Sequence, residues 1–132
     1  MASPRVVLAD DQEEILETVS RVLRSDFDIV AAVPDGESAI EAVARLDPDL
    51  VVLDISMPIL NGLEAASLLQ ESGSKAKVIF LTVHDDPDYV EAAFSVGARG
   101  YVLKARLGID LLPAVREALQ GRTFVSPPLN GH

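Results

Sequence analysis

In Leu50-Val51-Val52-Leu53-Asp54-Ile55-Ser56-Met57-Pro58, an unbroken apolar run ends on a carboxylate, with a proline just beyond. A strand with one wet face alternates apolar and polar residues. A run without alternation reads as a strand covered on both faces, as in a parallel sheet flanked by helices. Other runs share this character: Val6-Val7-Leu8-Ala9, Ile29-Val30-Ala31-Ala32-Val33, Val78-Ile79-Phe80-Leu81 and Tyr101-Val102-Leu103. Between them the apolar period turns helical. Ile15, Val19, Val22 and Leu23 share one face of a segment that Asp11 is placed to N-cap, with Glu14 completing a capping box. Segments 38–46, 63–69, 89–96 and 111–119 show the same period. Gly97 and Gly121 stand where helices end, and Pro34-Asp35-Gly36, Asp47-Pro48-Asp49 and Gly73-Ser74 supply turns. Strand and helix thus alternate five times, which predicts an α/β fold: a (βα)5 doubly wound parallel sheet with right-handed crossovers.

Composition narrows the function classes. The chain has 132 residues, one domain's worth, enough to bury a core without disulfide or metal staples. Asp and Glu number 21 against 11 Lys and Arg, a formal charge of −10. That balance argues against phosphate-backbone contact, and so against nucleic-acid binding by this segment, and equally against an anionic membrane surface. The absence of cysteine excludes thiol catalysis and cysteine-ligated metal sites and is compatible with a reducing cytoplasm. No apolar run approaches the ~20 residues needed to span a bilayer, and the N-terminus lacks the pattern of a signal peptide.

In open parallel sheets, ligands bind beyond the carboxyl ends of the strands, where strand order reverses. The first run here ends in Asp10-Asp11, the third in Asp54, the fourth in Thr82 and the fifth in Lys104. With strand order 2-1-3-4-5 these side chains converge on one rim. Three carboxylates in one pocket repel, and a divalent cation removes that cost; an all-oxygen, partly hydrated cage suits Mg²⁺ better than zinc. A site that adds a lysine and a hydroxyl donor fits a phosphoryl group, with central Asp54 as the nucleophile that carries it as an acyl phosphate. Taken singly, each residue has an ordinary reading as a cap, a strand-end charge, a turn former or a surface lysine. Such readings explain poorly why four of five strands end in complementary chemistry.

The motifs Val7-Leu8-Ala9-Asp10-Asp11, Val51-Val52-Leu53-Asp54-Ile55-Ser56-Met57-Pro58, Asn61-Gly62, Leu81-Thr82 and Gly97-Ala98-Arg99-Gly100-Tyr101-Val102-Leu103-Lys104 together resemble the receiver domain of bacterial two-component response regulators. The resemblance implies a flavodoxin-like sheet and a receiver over residues 1–121. It further implies that Asp54 takes a phosphoryl group from a sensor histidine kinase. Asp10, Asp11, Asp54 and the main-chain carbonyl of Ser56 would hold Mg²⁺. Lys104 and Thr82 would contact the phosphoryl group, and Tyr101 would rotate inward behind Thr82; Tyr101 reads equally well as a half-buried strand aromatic. Ser56 and His84 occupy the family's positions that tune phosphate lifetime, although His84 also fits a solvated loop. The chain would then be a cytoplasmic signalling switch, not an enzyme in its own right, and would be able to dimerise on phosphorylation.

Two positions depart from the family's habit. Lys104-Ala105 replaces a Lys-Pro pair that is commonly cis, which predicts a trans bond here. Val83 stands where a smaller residue is common and is expected to narrow access to Asp54. The stretch 82–90 and the tail Gly121-Arg122-Thr123-Phe124-Val125-Ser126-Pro127 look most like receivers joined to a LuxR-type helix-turn-helix. Residues 122–132 are accordingly expected to be a tail or the start of a linker to an output domain that binds DNA. The resemblance leaves two other readings open. One is an Mg²⁺-dependent aspartyl-phosphate phosphatase, although such enzymes carry a second acid where this chain has Ser56. The other is a phosphorylation-independent interaction module.

Overall fold

The computed structural model describes residues 3–129. Each apolar run forms a strand: β1 (Arg5–Ala9), β2 (Asp28–Val33), β3 (Leu50–Leu53), β4 (Lys77–Thr82) and β5 (Gly100–Leu103). The helices between and after them are α1 (Glu13–Leu23), α2 (Gly36–Leu46), α3 (Gly62–Glu71), α4 (Pro87–Ser95) and α5 (Leu107–Leu119). All pairings are parallel, in the expected order 2-1-3-4-5. A short further strand, β6 (Phe124–Val125), pairs in parallel with β5 and extends the sheet to six. The stretch read as tail therefore contributes to the sheet; its last residues, 130–132, lie outside the described residues.

Side chains alternate across the sheet into two apolar layers. Val7, Val51, Leu53, Phe80 and Tyr101 pack with residues of α2, α3 and α4 on one face. Val6, Leu8, Val52, Ile79, Leu81 and Val102 pack with α1 and α5 on the other. Every residue of β3 is buried, which is why its sequence does not alternate.

Helix starts follow capping chemistry with one correction. The side chains of Asp35, Asn61 and Asp86 cap α2, α3 and α4, and Asn61 and Glu64 form a complete capping box. Asp11 does not cap α1, and no capping box with Glu14 forms. The N-cap is Gln12, whose side chain makes no capping bond; the Gln12 amide donates to Asp10 Oδ1 at 2.8 Å and the turn begins one residue later. Helix α5 starts earlier than the periodicity marks, at Leu107, with Pro113 accommodated inside it.

The loop between β3 and α3 is tightly drawn. Gly62 donates its amide to the Ile55 carbonyl at 2.8 Å, and a Cβ on Gly62 would run into the Asp54 carbonyl. In the same loop Ile59 has a left-handed backbone, φ 70°, which is uncommon for a β-branched residue, and its side chain is largely exposed. Since the obstruction at Gly62 is backbone, Gly62→Ala is expected to destabilise the fold by about 1–3 kcal/mol, read as a lower urea midpoint with unchanged slope.

Candidate functional site

Strand register sets the site. Ala9 lies opposite Leu53, Leu53 opposite Phe80, and Thr82 opposite Leu103. Residues just past these strand ends therefore share one rim. The ladder continues one residue further, with the Asp54 amide donating to the Ala9 carbonyl and the Asp10 amide to the Val33 carbonyl, both at 3.0 Å. Both carboxylates are thus held by main chain on rigid strands. Asp54 is 5% exposed and Asp10 3%.

Lys104 opens a short 3₁₀ turn, Lys104–Arg106, after β5. Its ammonium lies 3.0 Å from Asp54 Oδ2, 2.9 Å from Asp10 Oδ2 and 2.9 Å from Gln12 Oε1. Two of these contacts, to Asp54 and Gln12, are hydrogen bonds. The approach to Asp10 Oδ2 is an ion pair without the angle of a hydrogen bond. No cis peptide bond occurs among the described residues, so the trans expectation for Lys104-Ala105 agrees with the structure.

The second oxygen of Asp54, Oδ1, is buried and has no hydrogen-bond partner among the described residues. One oxygen each from Asp10, Asp11 and Asp54 falls within 4.8 Å of the others, with Asp11 on the solvent side. An unpartnered carboxylate oxygen costs free energy in a buried site. Three carboxylates against one ammonium leave the pocket negative. Both observations fit a hard divalent cation with oxygen ligands. Burial first, and then the neighbouring Asp54 charge, push the Asp10 carboxyl above the usual carboxylate range despite its bonds to Gln12 and Lys104. Burial would lower the Lys104 ammonium, but its bonds to Asp10 and Asp54 outweigh that and hold it above its ordinary value.

Around this centre, Thr82 is fully buried, and its Oγ1 accepts the His84 amide at 3.3 Å. Tyr101 is also fully buried and donates its hydroxyl to the His84 carbonyl at 2.7 Å. Ser56 Oγ and His84 Nε2 are 2.7 Å apart, linking the loop after β3 to the loop after β4, and the His84 ring stacks on Tyr89 at 4.3 Å. Val83 is 67% exposed and belongs to neither apolar layer. Sequence reasoning missed Gln12, the third oxygen on Lys104; a neutral amide after two acids carries no charge signal. It also missed the Ser56–His84 bond, which needs two loops distant in sequence to meet.

Residues 6–116 match the model of the response regulator receiver domain. The chain belongs to that family. It is 38% identical over 125 residues to the transcriptional regulatory protein DegU of Brevibacillus brevis, covering 93% of this chain and 53% of that protein. The chain thus spans about half the length of that relative. Among solved structures, a LuxR-family two-component response regulator from Aurantimonas sp. SI85-9A1 superposes with TM-score 0.91 at 29% identity, covering 97% of this chain and 93% of that one. The receiver domain of the putative response regulator NarL from Mycobacterium tuberculosis gives 0.88 at 30% identity, covering 92% of this chain and all of that one. The receiver fold expected from the motifs is the fold observed.

The raised Asp10 carboxyl has a consequence for stability. Its folded value lies above its unfolded one, so the folded state holds the extra proton between them, and stability falls as pH rises through that window. At neutral pH the charge is a net burden. Asp10→Asn keeps an oxygen for the Gln12 amide and is expected to raise the metal-free melting temperature by about 3 °C. Added Mg²⁺ should stabilise the native chain more than this variant. Calorimetry with and without Mg²⁺ reads both, and an unchanged or lower metal-free value would contradict the burden.

Proposed function

We propose that this receiver is a phosphorylation-dependent switch in which Asp54 is the phosphoacceptor. The observation that carries the reading is Asp54 itself, which clusters with two more carboxylates and has one oxygen tied to Lys104 and the other buried and unpartnered. On this reading Oδ1 attacks the phosphorus of a phosphohistidine on a sensor histidine kinase. The O–P bond forms as the P–N bond breaks, and the imidazole, already protonated on its other ring nitrogen, leaves as the neutral ring. Lys104 stabilises the charge that accumulates on the phosphoryl oxygens, and Thr82 donates its hydroxyl to them. Asp10, Asp11, Asp54 and the Ser56 main-chain carbonyl would hold Mg²⁺, which offsets phosphoryl charge when bound.

The acyl phosphate is lost when water attacks phosphorus, restoring the carboxylate and releasing inorganic phosphate. Ser56 and His84, joined at 2.7 Å between the loops after β3 and β4, would set its rate. Freeing His84 Nε2 by Ser56→Ala is expected to shorten the lifetime of the phosphorylated form. If the decay is unchanged, the pair has no tuning role.

Phosphorylation would favour one of two conformations, with Thr82 and Tyr101 moving together, and could promote a homodimer. The relatives named as transcriptional regulatory proteins, and the longer chains they have, support an output in transcription through a DNA-binding region outside residues 1–132. The acidic balance supports no direct nucleic-acid contact by this segment. No helix among the described residues is long and apolar enough to cross a membrane, and we place the switch in the cytoplasm with its kinase's phosphodonor domain.

Acetyl phosphate with Mg²⁺ should add one phosphoryl mass to the native chain and none to Asp54→Asn, seen by intact-protein mass spectrometry. No adduct on the native chain would sink the phosphoacceptor reading. Sustained turnover of a phosphomonoester would point instead to a phosphatase.

A further inference from the structure

Beyond the rim, one polar cluster is buried where the sheet meets its last strand. Asp110, in the first turn of α5, is 3% exposed, and Ser126, just after β6, is fully buried. Ser126 Oγ donates to Asp110 Oδ2 at 2.8 Å and accepts the Leu103 amide at 3.0 Å. Its own amide donates to the Tyr101 carbonyl at 2.9 Å, and its carbonyl accepts the Leu129 amide at 2.9 Å. Arg106 completes the cluster, with Nε 2.6 Å from Asp110 Oδ2 and a second nitrogen 3.3 Å from Oδ1.

Every polar group of Ser126 is therefore used, and the partners are telling. Leu103 precedes Lys104, and Tyr101 lies two residues earlier on the same strand. Arg106 closes the short turn that Lys104 opens. This turn is held at one end by Lys104 in the acidic pocket and at the other by Arg106 on Asp110. A buried hydroxyl bridging a carboxylate and a main-chain amide has little room to follow a shift in either. Because Ser126 grips the amide of the residue before Lys104, a shift of this turn is passed directly to the C-terminal segment.

We infer that Ser126, Asp110 and Arg106 form a latch that fastens the C-terminal segment to the turn carrying Lys104, so that loading of Asp54 loosens that segment. The coupling half of this inference rests on the phosphoacceptor reading; the latch itself does not. Once a phosphoryl group and a cation share the pocket, Lys104 trades Asp10 for a phosphoryl oxygen. The Leu103 amide shifts with it, and the bond to Ser126 lengthens.

Hydrogen exchange on the full chain tests both halves. In the unloaded protein, Ser126→Ala should speed exchange of the Phe124 and Ser126-position amides by about tenfold, with β1 and β3 amides unchanged. Unchanged exchange at those two amides overturns the latch. Should Ser126→Ala lose protection throughout, Asp110→Ala, which removes the acceptor of the Ser126 hydroxyl, is read the same way and with the same two outcomes. Beryllofluoride with Mg²⁺, its adduct followed by fluorine NMR, should then speed exchange at the same amides in the native chain and add nothing further in Ser126→Ala. Exchange that is unchanged or slower in the loaded native chain overturns the coupling. A missing adduct signal overturns the phosphoacceptor reading and the coupling with it, while the unloaded comparison still decides the latch.

Discussion

Among the described residues the ammonium of Lys104 is the positive charge paired with both Asp10 and Asp54, and the geometry of the rim depends on it. Two carboxylates a few ångströms apart and almost sealed from water would otherwise repel or take up protons. One cation on a flexible stem, bonded to Asp54 and Gln12 and paired with Asp10, offsets part of that repulsion and holds β1, β3 and β5 to a common end point. The arrangement is tense by design of its charges. It leaves an excess of negative charge and one idle oxygen, a combination suited to a further cation.

That constraint accounts for the rest of the scaffold. Only a sheet of parallel neighbours, with register fixed by an apolar layer on each face, delivers groups from distant parts of the chain to one edge within hydrogen-bond reach. Gly62 allows the loop after β3 to fold back against the strand that carries Asp54, and the bonds from the Asp10 and Asp54 amides extend rigid sheet to the residues that bear these carboxylates.

Most of this was legible in the chain because charge and hydropathy change abruptly where strands end. Val51-Val52-Leu53-Asp54 announces a buried strand and its terminal acid in the same breath, and Leu103-Lys104 does the same for the base. What was not legible depends on competition or on distant contacts. Asp11 has the right position to cap α1, yet Asp10 captures the amide that starts the turn. Gln12 contributes through geometry alone. Phe124-Val125 is too short a run to register as a strand, and Ser126 resembles any small polar residue before a proline until β6 carries it beneath α5.

The shortness of β6 has an effect of its own. An edge strand offers unpaired main-chain groups to any other chain that can lie alongside it, and long flat edges invite runaway pairing. At this side of the sheet the outermost strand is two residues long, and a 3₁₀ turn containing Pro127 and Pro128 follows almost at once. The template ends before a foreign strand can gain purchase. Copies of this chain that meet on this side must therefore recognise each other through side chains on helix surfaces, whose association can be reversed, and not by adding strand to strand.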